Sequence, residues 1–178
     1  MTLVELRNYI DGLRFTITEE DVIRHDNEYA GKPGFTNKNG YSSRENVDSE
    51  YLEEHLGDTL KGVFKIIETP IKFYSDILID PFLIDFKEIN TKWFNLKHDY
   101  LRYFEAKNKG YLTHFCFYRT NRERKNNLPI KILPNTELTV EFLCIVDVQT
   151  LFTSPIKNNR IDVYDVMERC KKSENCVL

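Results

Sequence analysis

Hydrophobic and polar positions along this chain repeat with two different periods. Residues 2–13, TLVELRNYIDGL, put Leu3, Leu6, Ile10 and Leu13 at helical spacing. Thr18, followed by Glu19 and Glu20, marks a second helix running toward His25. Asp48 or Ser49 can cap a third, EYLEEHLGDTLKGVF, whose apolar stripe is Leu52, Leu56, Leu60 and Val63. FKIIE at 64–68 predicts a short strand. From 72 the pattern alternates, which predicts strands over 72–79 and 82–89 joined at Asp80-Pro81. Helical spacing returns over 95–109, where Leu96, Tyr100, Tyr103 and then Ala106 or Lys107 fall on one side and Gly110 is a fitting stop. YLTHFCFY at 111–118 predicts a strand, ELTVEFLCIVDV at 137–148 a strand or strand pair, and IDVYDVMERCKK at 161–172 a last helix.

Two polar stretches separate these elements. GKPGFTNKNGYSSRENV at 31–47 is loop chemistry, and RTNRERKNN at 119–127 is a polar, basic loop. The 30 residues before the first are too few to fold alone. Residues 1–178 therefore predict a single domain: a helical and loop segment over about 1–47, a core over about 48–148 and a C-terminal helix at about 161–172. No internal repeat occurs. A strand, a helix and a second strand with short links favour a right-handed parallel crossover. The order as a whole predicts an α/β fold with a mixed central sheet flanked by helices.

Composition narrows the class. Hydrophobic residues make up 41% and aromatics 13%, enough for a core, which excludes global disorder. A net charge of −3 argues against nonspecific coating of nucleic acid and leaves a local basic surface open. No apolar run approaches the roughly 18–20 residues of a membrane helix, and Met1-Thr2-Leu3-Val4-Glu5 lacks the basic start of a signal peptide, so no membrane partner is expected. Cys116 and Cys144 lie in apolar runs and read as core residues, while Cys170 and Cys176 form no CxxC, which argues against zinc. Such cysteine usage suits a reducing, intracellular compartment: the cytoplasm, or a host's cytoplasm or nucleus for a viral protein. Cys176 stands third from the end, where a prenylation box needs it fourth. HxH, HExxH, P-loop, GxGxxG and nucleophilic-triad patterns are all absent.

The hairpin SDILIDPFLIDFKEIN, 75–90, carries the chemistry. A turn centred between Asp80 and Pro81 makes Asp76 face Asp85, Tyr74 face Lys87 and Leu78 face Leu83. Asp76, Asp85 and Lys87 then gather on one sheet face, and Ile77, Ile84 and Phe86 point to the other. Opposed carboxylates repel, and a hard divalent cation removes that cost. Mg²⁺ keeps several waters, so one or two carboxylates suffice. A lysine two residues along can orient a bound water or stabilise developing negative charge, a set suited to phosphodiester hydrolysis. The plainer alternative is a wet sheet face on which Lys87 pairs with an acid. Asp80 beside Pro81 reads as turn chemistry.

These residues resemble the PD-(D/E)XK nuclease superfamily of restriction enzymes, Holliday-junction resolvases and viral endonucleases. Ser75-Asp76 stands for the first element without its proline, and Asp85-Phe86-Lys87 for the second, followed by a helix and a strand as in the family. The resemblance covers about residues 50–118 and implies a restriction-endonuclease-like core. It implies Mg²⁺ or Mn²⁺ held by Asp76 and Asp85, with Lys87 positioning the attacking water. The partner it implies is nucleic acid, DNA ahead of RNA, and a homodimer wherever two strands are cut together. In the family an upstream helix often brings an acid to the site; Glu53 matches, with Glu50 and Glu54 competing. His25, in Arg24-His25-Asp26, corresponds to a metal ligand of some viral cap-snatching members, against the commoner surface histidine. Glu105-Ala106-Lys107 is a second E-x-K if DYLRYFEAK is a strand. Lys32, Lys38, Arg44, Arg119, Arg122, Arg124 and Lys125 are the candidates to grip phosphates, against a reading as solvated basic loops. From another class, the chain reads as a noncatalytic interaction protein, for example a viral accessory protein, on the same α/β scaffold.

Overall fold

A computed structural model describes residues 2–29, 44–62, 77–79, 81–89, 93–95, 101–122, 124–125, 128–129, 134–153, 156–157, 160–172 and 176–178. The chain runs α1 (Leu3–Ile10), β1 (Arg14–Ile17), α2 (Glu19–Tyr29), α3 (Arg44–Lys61), β2 (Ile77–Ile79), β3 (Phe82–Glu88), β4 (Trp93–Asn95) and α4 (Leu101–Asn108). It continues through β5 (Leu112–Thr120), β6 (Arg124–Lys125), β7 (Leu128–Pro129), β8 (Thr136–Asp147), α5 (Val148–Phe152), β9 (Ile156–Lys157), β10 (Arg160–Asp162), α6 (Val163–Cys170) and β11 (Cys176–Val177).

Local chemistry sets the helix ends. Thr2 and Glu5 form a reciprocal capping box at α1, the Thr2 N–H donating to Glu5 Oε2 (2.7 Å) and the Glu5 N–H to Thr2 Oγ1 (3.2 Å). Thr18 and Asp21 repeat the device at α2: the Thr18 N–H donates to Asp21 Oδ2 (3.0 Å) and the Asp21 N–H to Thr18 Oγ1 (3.1 Å). Gly110 closes α4 at φ +93°, a conformation that side chains disfavour, and its N–H reaches Lys107 O at 2.9 Å.

The main sheet is ordered β1-β8-β5-β3-β2, with β11 also beside β8. β3 and β5 pair in parallel, from Phe82↔Leu112 to Glu88↔Tyr118, with α4 as the connection between them. The remaining ladders of this sheet are antiparallel, so the fold is α/β with a mixed sheet. β2 and β3 pair as Ile77↔Ile84, Leu78↔Leu83 and Ile79↔Phe82, the register that a turn at Asp80-Pro81 predicts.

Each sheet face is packed by helices. Leu6 and Ile10 of α1 and Leu56 and Leu60 of α3 meet Ile77, Ile84, Phe86, Cys116 and Tyr118 on one face. Phe115, Phe117, Cys144 and Val146 meet Leu151 of α5 and Val163, Val166 and Cys170 of α6 on the other. β8 reaches both cores through a bulge. Its pairing with β5 jumps from Tyr118↔Phe142 to Phe117↔Cys144, leaving Leu143 as an extra residue beside Cys144 in the second core.

Several boundaries differ from the pattern-based expectation. α3 starts at Arg44, ahead of the expected caps Asp48 and Ser49. Trp93–Asn95 pairs with β10 as a strand, so the expected 95–109 helix begins only at Leu101 within the described residues. Glu105 and Lys107 are helical, which overturns the strand alternative for the second E-x-K. The expected 119–127 loop is partly strand: Arg119 and Thr120 extend β5, and β6 pairs with β7. The expected strand at 64–68 lies outside the described residues. Among the described residues no helix is long and apolar enough to cross a membrane.

Candidate functional site

β3 holds the chemistry because it is apolar on one face and charged on the other. Ile84 and Phe86 are wholly buried in the α1/α3 core. Asp85 and Lys87 point the opposite way, two residues apart, as a period of two requires. Asp85 is paired on its β5 side with Phe115, and its side chain is only 1% exposed. A carboxylate this dry needs a compensating charge. Lys87 supplies it: Nζ lies 2.6 Å from Asp85 Oδ1.

The same ammonium reaches a second acid. Lys87 Nζ donates to both carboxylate oxygens of Glu53 at 3.4 Å each. Glu53 sits on α3 between Leu52 and Leu56, both fully buried, so the helix packing fixes where its side chain begins. Glu53 is 11% exposed and Lys87 26%, so water reaches the array on the lysine side. The result is two carboxylates flanking one nitrogen. Of the three competing glutamates, Glu53 is in contact with Lys87, and the side chains of Glu50 and Glu54 lie outside the described residues.

Asp76, the other expected metal ligand, lies outside the described residues, as does Asp80. The described β2–β3 pairs run from Ile77↔Ile84 to Ile79↔Phe82, and the expected Asp76–Asp85 pair lies outside the description. Among the described residues no group of three or more His, Cys, Asp or Glu side chains is arranged to hold a metal ion. The oxygens of Asp85 and Glu53 are nonetheless hard donors beside one partly wet cation, a set that suits a divalent ion with water filling its remaining positions.

The basic candidates divide. Arg122 departs from the expected exposed loop: its side chain is 2% exposed and donates to Glu88 Oε2, and Glu88 is itself 1% exposed. Thr120 Oγ1 donates to Glu88 Oε1 at 2.7 Å. Arg122 therefore neutralises a buried acid inside the fold, an arrangement that a run of charge in the sequence does not disclose, because the partner stands 34 residues away. Arg119 is half-buried, donates to the Tyr164 hydroxyl and lies 5.3 Å over the Tyr164 ring. Lys32 and Lys38 lie outside the described residues. Arg44 opens α3 and Arg124 and Lys125 form β6, with side chains outside the description.

Two histidines, His55 and His114, have described side chains. His55 is half-buried against Phe15, with ring centroids 4.5 Å apart, and burial holds its pKa below the ordinary value. His114 is buried in β5 and likewise shifted down by burial. His25 lies in α2 with its side chain outside the description, and His98 lies outside the described residues. Cys116, Cys144, Cys170 and Cys176 are all reduced thiols, outside any disulfide. Comparison with protein-family models, with curated proteins and with solved structures finds no match.

Proposed function

We propose that this chain is an intracellular nuclease of PD-(D/E)XK type that hydrolyses phosphodiester bonds in nucleic acid with Mg²⁺ or Mn²⁺. The observation that carries the reading is the Glu53–Lys87–Asp85 array. Two carboxylates against one ammonium leave a net negative charge in a largely dry wall, and hard oxygen donors in that state favour a divalent cation. Asp85 and Glu53 would hold it, joined by Asp76 if the hairpin register continues one pair further. A bound ion supplies Lewis-acid polarisation of a phosphoryl oxygen and a more acidic water.

The protein's own part follows from position. Asp85 is held by the β3–β5 ladder, so its oxygens are preorganised. Lys87, partly wet, can hold a water by its N–H groups and stabilise charge developing on the phosphoryl oxygens. An in-line attack would leave a 5′-phosphate, as the family resemblance implies. DNA is favoured over RNA as substrate, and cutting both strands of a duplex would take two copies of the chain.

The test is cleavage of single-stranded, duplex and branched DNA and RNA in Mg²⁺ or Mn²⁺. Wild type should cut at least one substrate, and Asp85→Asn or Lys87→Ala should lower the rate by about 10²–10³-fold. Cleavage indifferent to both substitutions removes this site. No cleavage, together with no effect of Mn²⁺ on unfolding, favours the noncatalytic interaction protein, in which Lys87 is only a structural counter-ion.

A further inference from the structure

β3 has a second environment at its opposite end. A half-open cavity of about 360 Å³ lies there, walled by Leu3 of α1, Phe82 of β3, Tyr111 before β5, Val148 of α5 and Val177 of β11. That volume is at the lower end of pockets that take small molecules, about 300–1,000 Å³. Leu112, which also lines the cavity, is an exposed leucine.

The polar groups in the wall fix what could enter. Asp147 is committed to the N-terminus of α5, where it accepts the N–H groups of Gln149 (2.9 Å) and Thr150 (3.0 Å). Lys107 donates to Gln149 Oε1. These partners are neutral groups, so the wall carries one cation and one anion whose formal charges cancel, and it favours no net charge on a ligand. His114 differs. Its Nδ1 lies 2.9 Å from the Leu112 carbonyl, which can only accept, so Nδ1 carries the ring proton. In the neutral ring Nε2 is then an acceptor, and burial favours that neutral ring. Phe82 stands edge-on to His114, with centroids 5.6 Å apart at 72°, and Tyr111 supplies a second aromatic wall.

We infer that this cavity binds a small, neutral aromatic heterocycle whose N–H donates to Nε2 of His114 and whose ring lies among Phe82, Tyr111 and Val148. The site is separate from the Glu53–Lys87–Asp85 array and does not depend on the nuclease reading.

Indole and 1-methylindole are the probes, because they share a body and differ in the donor. The full chain is titrated with each at pH 7.5 and followed by ¹H–¹⁵N correlation spectra. Indole should shift the resonances of Phe82, Tyr111, His114 and Val148 and saturate, and 1-methylindole should bind about tenfold more weakly. In His114→Leu the two should bind alike. Absence of any shift by indole overturns the site. Equal midpoints for the two probes in the wild-type chain overturn the His114 contact, and shifts confined to other residues overturn the location. The wild-type comparison decides the matter even if the His114 variant fails to fold.

Discussion

Lys87 Nζ stands 2.6 Å from Oδ1 of Asp85, a carboxylate that the β3–β5 ladder keeps 1% exposed, while the lysine itself is 26% exposed. Removing the cation would strand a buried negative charge. Lys87→Met should therefore destabilise the fold by about 2 kcal/mol, below the 3–5 kcal/mol of a fully buried pair because water reaches this lysine. In Asp85→Asn/Lys87→Met the loss should be smaller than the sum of the two single losses. Urea unfolding of the four proteins closes the cycle, and strict additivity would deny the coupling.

Metal binding at the same acids predicts a gain in stability by mass action. At a Mn²⁺ concentration about tenfold above its dissociation constant the gain is about 1.4 kcal/mol. For a chain of this length that raises Tm by roughly 3–5 °C. Asp85→Asn and Glu53→Gln should each abolish most of the rise. Scanning calorimetry with and without Mn²⁺ reads it, and an equal rise in all three proteins would move the ion elsewhere.

Glu88 and Arg122 are drier than the first pair, with side chains 1% and 2% exposed. Arg122→Met should cost about 3–5 kcal/mol, because Glu88 is left charged in the core with the Thr120 hydroxyl as its partner among the described residues. Replacing both, as Glu88→Gln/Arg122→Met, should restore a large part of the loss. Adding salt should leave both values nearly unchanged, because the pair is inside the fold.

His55 and His114 give the fold an acid-side slope. Burial lowers both pKa values below the ordinary 6.5, so the unfolded chain takes up protons first as pH falls. Above pH 6.5 neither ring costs anything. Below it, stability declines as pH drops toward the depressed native values, and then levels. Urea midpoints from pH 8 to 5 should trace this fall, and His55→Gln and His114→Gln should each flatten part of it. An unchanged slope in both variants would contradict the burial assigned to these rings.

Thiol reactivity should separate Cys176 from the rest. Cys170 is pushed up to about 12, with a hydrogen bond to Cys144 as the largest cause, and Cys116, Cys144 and Cys170 are all buried. Ellman's reagent should therefore label one thiol quickly in the native chain, and the other three only at the rate of unfolding. Fast labelling of Cys176→Ser would break the assignment.

Much of the framework could be read from one dimension, and particular residues explain where it could not. Alternation in 82–89 puts Asp85 and Lys87 on one side, and the Asp80-Pro81 turn gives the register of Ile77 through Ile84. Both are local facts. Glu53 came only from the family resemblance, because its helix carries Glu50 and Glu54 in the same pattern and tertiary packing alone selects among them. Arg122 looked like loop surface because its counter-ion, Glu88, is remote in sequence. The two- to four-residue strands β1, β4, β9, β10 and β11 are too short to show a period, and their existence rests on partners such as Thr139 for Arg14 and Val146 for Cys176. The cavity at His114 joins residues from both ends of the chain, from Leu3 to Val177, and has no linear signature.

The extra residue at Leu143 divides β8 into two reading frames. Before it, even-numbered Leu138, Val140 and Phe142 turn toward the α1/α3 side, and the exposed Glu137 and Glu141 turn away. After it, odd-numbered Ile145 joins that same core, and Cys144 and Val146 face α5 and α6. Deleting Leu143 itself would leave Phe142 and Cys144 as successive partners of Tyr118 and Phe117, so the ladder would close up and both frames would keep their faces. Loops elsewhere can change length at little cost. At Leu143 a strand shares that latitude: the bulge is a slack link in the ladder, where one residue can leave while Glu137 and Glu141 stay turned outward.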